Sequence, residues 1–435
     1  MITALGFTLM FTIVTLILMR RISPLVAFVT LPVIACAMAG FAPGEIGKFI
    51  TEGLKSVAPT ATLFIFAILY FGVMRERGLF DPLVNFLLKS TKGKPLSVAI
   101  VTVAATAVTH LDGIGAATFL LVIPALLPLY LRLGMKREML LCLVVLSAGV
   151  MSMVPWGGTT ARAAAVTGIE AAQLWIALIP IQAIGLALVL ALAVYLGLQA
   201  QRSGVSTGQT IESDTAAPSP QVDSSQMLAP STWRYWANLA LTLAILACLF
   251  TGVFPLFACF MVGLGIALLL NYPSLEEQNK AVLRHASDAM QMALVMLAAG
   301  VLLGVLAGAG MSNGMAHWMI NVLPEGSANW LHVIIGAFGV PLGMLFSPDA
   351  YYFALLPVIR DVAVAAGVTQ DAVATAMLIG ENTGFGISPV VPSVYLAIGL
   401  AGVELYKHIR YTLLWAWGIS LVMLASAVLL GVVTV

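Results

Sequence analysis

Long apolar segments, separated by short polar stretches, follow one another along the whole chain. Most of them approach the roughly 20 apolar residues that a helix needs to cross a bilayer. The pattern therefore predicts an all-α polytopic membrane protein. The apolar segments run approximately over residues 2–19, 24–41, 57–74, 96–130, 139–165, 173–198, 236–252, 254–271, 286–309, 330–358, 371–399 and 411–433.

Two segments, 96–130 and 330–358, are too long for one ordinary crossing, and each has polar, glycine or proline residues near its middle. Such a segment can form a re-entrant hairpin, which enters and leaves the membrane on the same side. The basic residues support this interpretation, because cytoplasmic loops carry an excess of Lys and Arg. With the N-terminus outside and both segments as hairpins, 16 of the 20 basic residues fall inside. These are Arg20, Arg21, Arg75, Arg77, Lys89, Lys92, Lys94, Arg132, Lys136, Arg137, Arg202, Arg234, Lys280, Arg284, Lys407 and Arg410.

A polar stretch rich in Ser, Thr, Pro and Gln separates two halves of similar length. Its composition is typical of a flexible linker. We therefore expect a first membrane repeat at 1–199, a cytoplasmic linker at 200–234 and a second membrane repeat at 235–435.

The two halves contain similar landmarks at similar spacing. Asp112 precedes FLLVIP, VPWGG and TGIE, and Asp349 precedes FALLPVI, SPVVPS and AGVE. In both halves 13 residues separate a motif proline, Pro155 or Pro389, from a later glycine. Because the predicted topology gives the halves opposite orientations, the pattern indicates an inverted repeat, which is an architecture of secondary transporters.

Two motifs, PWGGTT at 155–160 and GFGISPVVP at 384–392, interrupt apolar segments. Proline removes a backbone donor and paired glycines favour other dihedrals, so neither motif continues a regular helix. Non-helical backbone at membrane depth is tolerated where it is buried in protein or lines a wet cavity. We therefore expect the two helix breaks and the two hairpin turns to meet at one substrate site.

Arg162 follows the first break and is the leading candidate for substrate binding. A guanidinium beside backbone N–H groups without helical partners can receive a carboxylate through bidentate hydrogen bonds. The alternative is an arginine near the outer surface that snorkels to the interface or pairs with Glu170. The other predicted substrate ligands lie in the breaks and turns: Gly113, Gly157, Gly158, Thr159, Thr160, Ser347, Asn382, Ser388, Pro389 and Ser393.

Four further ionisable residues lie within the apolar segments: His110, Asp112, Asp349 and Glu381. A charged group at this depth costs about 2.5–3.5 kcal/mol on insertion scales, so such residues point to function. We predict that they carry the coupling proton or contact a coupling cation. Burial favours the neutral form of a carboxyl group, which suits Glu381 to proton transfer. The structural alternative for the two aspartates is to cap a helix N-terminus.

The composition narrows the function further. The chain is 61% hydrophobic and 9% charged, with a net charge of +1, whereas soluble domains carry about 25% charged residues. Nothing in this balance indicates a nucleic-acid partner. An intramembrane aspartyl protease that uses Asp112 and Asp349 is disfavoured, because neither residue lies in a Gly-x-Gly-Asp pattern. We expect no enzyme activity and no permanently bound cofactor.

These residues resemble the citrate–metal–proton symporter family, CitMHS, of the ion-transporter superfamily. The resemblance is carried by HLDGIGAATFLLVIPALLPLYLRLGM (110–135), PWGGTTARAA (155–164), SPDAYYFALLPV (347–358) and SPVVPSVYLAIGLAGVEL (388–405). It implies a homodimeric carrier in the inner cell membrane, which moves citrate or a related di- or tricarboxylate with protons. In many relatives the citrate is bound to a divalent metal such as Mg²⁺ or Ca²⁺.

Two departures from the family pattern bear on the substrate. The first hairpin reads DGIG, with Ile114 in place of a second acidic residue. The segment before Ser388 reads ENTGFGI and lacks the Gln-Pro form of the metal–citrate members. The missing carboxylate favours free citrate over a metal complex. An alternative on the same scaffold is an ion exchanger or oxyanion transporter, which would move Na⁺/H⁺ or arsenite without an organic acid. The choice of H⁺ or Na⁺ as coupling ion, and the metal requirement, stay open at this point.

Overall fold

The computed structural model of the chain describes residues 1–19, 21–91, 93–202, 232–251, 254–324 and 326–434. Arg20 and Lys92, two of the predicted cytoplasmic cations, lie outside the described residues. So do residues 203–231, which make up most of the predicted linker. The helix before the predicted linker ends at Arg202, and the helix after it begins at Trp233. Both helices therefore extend a few residues into the range predicted for the linker, 200–234.

The helices of the two halves follow one another in the same order of types. Each half has two helices, a long helix, a short helix, two hairpin arms, the two parts of a broken helix and a final long helix. The predicted fold class, with a hairpin and a broken helix in each half, is confirmed. The first half comprises α1 (Ile2–Leu18), α2 (Pro24–Met38), α3 (Pro43–Glu76), α4 (Asp81–Lys89), α5 (Pro95–Thr109), α6 (Gly115–Arg132), α7 (Arg137–Met151), α8 (Gly158–Thr167) and α9 (Ala171–Arg202). The second half comprises α10 (Trp233–Thr251), α11 (Leu256–Asn271), α12 (Leu275–Gly308), α13 (Met311–Val322), α14 (Ser327–Ala337), α15 (Gly339–Leu345), α16 (Pro348–Ala350), α17 (Leu356–Ala365), α18 (Gln370–Asn382), α19 (Pro392–Ala401) and α20 (Leu405–Leu429).

Six helices within the described ranges are long and apolar enough to cross a membrane. They are α3, α5 with its extension to Asp112, α6, α9, α12 and α20. Two bent pairs add to them: α14 and α15 meet at 65°, and α18 and α19 meet at 44°. The chain is therefore a multi-pass membrane protein. The first bent pair is one arm of the second hairpin, and the other pair is the second broken helix.

The centre of the protein is formed by α7 and α18, the first parts of the two broken helices. Every residue of α7 from Met139 to Met151 is buried, and so is every residue of α18 from Ala372 to Asn382. A helix that is apolar on all sides is expected where protein surrounds it completely. Each of these helices ends at a break, so the two breaks lie inside the protein.

The two long helices, α3 and α12, cross at three glycines. A Cβ atom on Gly53 would lie 2.0 Å from the carbonyl oxygen of Gly300, and one on Gly304 would lie 2.1 Å from that of Phe49. Small residues at this spacing allow the backbones of membrane helices to approach closely. The crossing therefore depends on the missing side chains of Gly53, Gly300 and Gly304.

We expect Gly304→Ala to lower the unfolding temperature of the purified protein in detergent. The added methyl group meets backbone atoms that cannot turn aside, and overpacking of this kind costs about 1–3 kcal/mol. Gly265→Ala on α11 is the matched control, because a Cβ atom there meets nothing within 4 Å. That replacement should leave the protein equally or slightly more stable. Equal unfolding temperatures for the two variants would contradict the role of the crossing.

Candidate functional site

The two helix breaks contact each other. The first lies between Met151 and Gly158, and the second between Asn382 and Pro392. A Cβ atom on Gly149 would lie 2.4 Å from the carbonyl oxygen of Asn382, so α7 and α18 pack backbone against backbone there. The hydroxyl of Thr159, at the start of α8, donates a hydrogen bond to Asn382 Oδ1 at 2.8 Å. Two predicted ligands from opposite halves are thus in direct contact.

The turn of the first hairpin lies against the first break. Gly113 has a φ of 74°, in the left-handed region that favours glycine. A Cβ atom on it would lie 3.1 Å from the carbonyl oxygen of Trp156 and 3.3 Å from the Cα atom of Gly157. The indole Nε1 of Trp156 donates a 2.6 Å hydrogen bond to the carbonyl oxygen of Leu111. The turn therefore lies at the depth of the break, as a re-entrant hairpin requires.

The same hairpin also reaches the second break. A Cβ atom on Gly115 would lie 3.6 Å from the ring of Phe385 and 3.8 Å from the hydroxyl oxygen of Ser393. The start of α6 is therefore close to the second break, and the turn before it contacts the first break.

Arg162 connects the first break to the turn of the second hairpin. Its Nε donates a hydrogen bond to Asp349 Oδ1 at 2.8 Å, and its Nη1 donates to the carbonyl oxygen of Gly158 at 2.7 Å. The hydroxyl of Ser347 accepts a hydrogen bond from the N–H of Ala350 at 3.2 Å and so caps the start of α16. Arg162 pairs with Asp349 and not with Glu170, the partner in the alternative interpretation.

Glu381 is enclosed next to this ion pair. Its Oε2 accepts a hydrogen bond from the hydroxyl of Tyr352 at 3.0 Å. Its Oε1 is buried and has no hydrogen-bond partner among the residues that the structure describes. A Cβ atom on Gly343 would lie 3.0 Å from Glu381 Cγ, so this glycine of α15 makes room for the carboxyl side chain.

Asp112 and His110 are fully buried in the first hairpin. Asp112 Oδ1 accepts a hydrogen bond from the N–H of Ile114 at 2.8 Å, which stabilises the turn. The carboxylate also forms an ion pair with Arg75, at the end of α3. The two ring nitrogens of His110 lie 2.9 Å from the hydroxyl of Thr118 and 3.0 Å from that of Ser152. His110 is thus held between the hairpin and the first break.

Sequence reasoning missed the role of Arg75. It counted this residue among the cytoplasmic cations, because it follows an apolar segment and precedes another basic residue. In the structure α3 continues through position 75 and brings the guanidinium to Asp112. No local sequence signal identifies that contact.

The two aspartates differ in their places within the hairpins. Asp112 ends the first arm of its hairpin, whereas Asp349 lies at the beginning of the second arm, within α16. Their likeness in the sequence repeat is therefore not an equivalence in structure. Each nevertheless pairs with an arginine from another element, so the site contains two balanced ion pairs, Arg75–Asp112 and Arg162–Asp349.

The remaining predicted ligands form the inner structure of the breaks. The hydroxyl of Thr160 donates to the carbonyl oxygen of Met153 at 2.9 Å. The carbonyl oxygen of Pro389 accepts a 2.7 Å hydrogen bond from the hydroxyl of Tyr395. Ser388 is fully buried, and its hydroxyl oxygen lies 3.5 Å from the N–H of Val390. These hydrogen bonds hold the irregular backbone of each break in place.

The chain is similar over its whole length to known carriers. The sequence profile described as "Citrate transporter", CitMHS, matches residues 1–380. A "Citrate transporter" of Bacillus subtilis (strain 168) is 37% identical over 435 residues, which cover 100% of both chains. A "Mg(2+)/citrate complex secondary transporter" of the same organism is 36% identical over 435 residues, again with 100% of both chains covered.

A solved structure with the same fold is the crystal structure of the Alcanivorax borkumensis YdaH transporter, which is described as having an unusual topology. The TM-score is 0.61, the sequence identity is 16%, and the match covers 88% of each chain. At this identity the likeness concerns the fold alone.

Proposed function

Since this chain belongs to the CitMHS family of citrate transporters, we propose that it carries citrate, or a related di- or tricarboxylate, across the membrane together with protons or another cation. It is a secondary transporter and not an enzyme. Arg162 and the backbone donors from Gly157 to Thr160 receive the carboxylate groups in this proposal. Asp112, Asp349, Glu381 and His110 are the candidates for the coupling charge.

The observation that carries this proposal is the position of Arg162 between the first break and the turn of the second hairpin. A guanidinium offers paired donors that match a carboxylate. Arg162 begins the second turn of α8, and its Nη1 reaches back to Gly158 at the start of the helix, where backbone N–H groups also favour anions. The Thr159–Asn382 and Arg162–Asp349 contacts join the two halves at this place. A carrier of this class binds its substrate between the repeats and exposes it to each side in turn.

The metal requirement is a separate part of the proposal. One of the two similar carriers is named for a Mg²⁺/citrate complex. We propose that any divalent cation that the carrier takes up, such as Mg²⁺ or Ca²⁺, enters as part of the substrate complex and is not a resident cofactor. Ile114 removes a carboxylate from the first hairpin, so the chain itself offers fewer ligands to that cation.

The sequence pattern and the family resemblance support a proposal for the placement in the cell. We propose a homodimer in the inner cell membrane with its N-terminus outside. The excess of basic residues in the loops that this topology places inside supports the orientation.

The proposal is tested by uptake of radiolabelled citrate into proteoliposomes that contain the purified protein. We expect uptake that is driven by an inward proton or cation gradient and is reduced by unlabelled di- and tricarboxylates. The competition series is repeated with and without Mg²⁺, Ca²⁺ and Na⁺, which identifies the metal and the coupling ion. Transport of Na⁺ or arsenite with no response to any carboxylate would refute citrate transport and support the exchanger or oxyanion alternative.

A further inference from the structure

We infer that Asp349 is the coupling group, and that it works by competing with the substrate for Arg162. The inference rests on the proposed function and adds to it a single residue and a reason for coupling. In the absence of substrate, Asp349 occupies the guanidinium that a substrate carboxylate needs. Substrate can bind only when Asp349 gives up that partner.

The geometry of Arg162 makes the competition direct. Its Nη1 is already fixed by the carbonyl oxygen of Gly158 at 2.7 Å, so the orientation of the guanidinium is set from within α8. The Nε then faces Asp349 Oδ1 at 2.8 Å. A substrate carboxylate that approaches this edge of the guanidinium must take the place of the Asp349 carboxylate.

Exposure distinguishes Asp349 from the other three candidates. Its side chain is 19% exposed, and that of Arg162 is 11% exposed. The side chain of Asp112 is 0% exposed, and His110 and Glu381 are also fully enclosed. A solute can therefore reach the Arg162–Asp349 pair.

The direct hydrogen-bond and ion-pair contacts of the other three candidates do not include Arg162, so a substrate that binds there leaves these contacts in place. Asp112 keeps its ion pair with Arg75 and its hydrogen bond from Ile114. His110 is held by two hydroxyl groups, and Glu381 is held by the hydroxyl of Tyr352. Of the four candidates, Asp349 is therefore the one whose direct contact is broken when a substrate carboxylate binds Arg162.

The loss of its partner favours protonation of Asp349. Once a substrate carboxylate binds Arg162, the Asp349 carboxylate lies unpaired beside another anion, and a bound proton removes that repulsion. The cation that faces Asp349 is Arg162 of α8. Glu381 of α18 interacts electrostatically with Arg162. Tyr351 and Tyr352 follow on the same arm and add no cation. One proton therefore binds to Asp349 with each substrate molecule. It leaves on the other side of the membrane, when the substrate has dissociated and Asp349 pairs with Arg162 again.

The test compares Asp349→Asn with wild type in citrate binding and uptake over a pH series. Asparagine has the shape of the protonated carboxyl group and no charge, so the variant should bind citrate at every pH. We expect wild-type affinity to strengthen by up to about tenfold for each unit of lower pH through this site, and Asp349→Asn to lose that dependence. The number of protons carried per citrate, read with a pH dye inside the vesicles, should fall by one.

Asp361→Asn is the matched control. Asp361 pairs with Arg360 at 2.6 Å, and the side chains of this pair are 15% and 20% exposed, yet it lies on α17 and not in a break or a hairpin turn. This variant should keep the wild-type pH dependence. The ionisation of citrate itself contributes equally in all three proteins, so their difference reports the protein alone.

Three outcomes would overturn the inference. The first is an Asp349→Asn variant that carries citrate with the proton ratio and pH dependence of Asp361→Asn. The second is loss of the pH dependence in Glu381→Gln and its retention in Asp349→Asn. The third is a folded Asp349→Asn variant whose unfolding temperature does not respond to citrate at any pH. All three leave citrate uptake by wild type intact, whereas a wild type that takes up no citrate would refute the proposed function itself.

Discussion

Replacement of Arg162 by alanine is expected to reduce the affinity for citrate by about 100-fold or more. A hydrogen bond to a charged group contributes about 1.5–3 kcal/mol, and a guanidinium can form two with one carboxylate. Each 1.4 kcal/mol corresponds to a factor of ten. The measurement is the concentration dependence of labelled citrate uptake into proteoliposomes, with the citrate-induced rise in unfolding temperature as a second measure of binding.

A matched control separates substrate binding from folding. Arg360→Ala removes a guanidinium of similar exposure that also pairs with a neighbouring aspartate and donates to a backbone carbonyl group, that of Val166. We expect Arg360→Ala to retain citrate affinity.

The double variant Arg162→Ala, Asp349→Asn avoids an unpaired carboxylate, so it should fold yet fail to bind citrate. Citrate uptake with wild-type affinity in Arg162→Ala would remove this residue from the substrate site.

The parts of this site that can be predicted from sequence are those with a local physical cause. Proline and glycine within an apolar segment mark a helix break wherever they occur. A charge within a membrane segment is costly wherever it lies. These two rules predict the breaks at Pro155 and Pro389, and they identify Arg162, Asp112 and Asp349 as residues that need partners.

The partners themselves depend on contacts between distant parts of the chain. Arg162 and Asp349 are 187 residues apart in sequence, and Thr159 and Asn382 are 223 apart. The repeat predicts that the breaks and the hairpin turns meet, but residue type and spacing do not identify which side chains pair there. The repeat in the sequence even makes Asp112 and Asp349 look equivalent, although one ends a hairpin arm and the other begins one.

The charge rule for loops fails at Arg75 for a related reason. It assigns a basic residue at the end of an apolar segment to the aqueous phase. In the structure α3 is 34 residues long and continues beyond that segment to Glu76. The helix therefore delivers Arg75 to the first hairpin, where it balances the charge of Asp112.

Removal of Arg75 is expected to destabilise the folded protein strongly. Arg75→Met leaves Asp112 as a charge that is 0% exposed and has lost its ion-pair partner, and breaking a buried pair in this way costs about 3–5 kcal/mol. Asp112→Asn should cost less, because Arg75 is 29% exposed and Asp288 also interacts with it electrostatically. The measurement is the unfolding temperature in detergent, together with citrate uptake.

The double variant Arg75→Met, Asp112→Asn tests the pair itself. Because neither charge remains, we expect it to recover much of the stability that Arg75→Met loses, and the double-mutant cycle should give a coupling free energy well above that of a surface pair. The control is the pair of Lys55 and Glu52, whose side chains are 66% and 71% exposed, so Glu52→Ala should change stability by no more than about 1 kcal/mol. Stability effects of Arg75→Met and Asp112→Asn that simply add in the double variant would show that the two side chains act independently. The first hairpin would then be held against α3 indirectly, through Trp156 of the first break, and not by charge. Trp156 donates to the carbonyl oxygen of Leu111 in the hairpin, and its ring centroid lies 5.3 Å from that of Phe71 on α3.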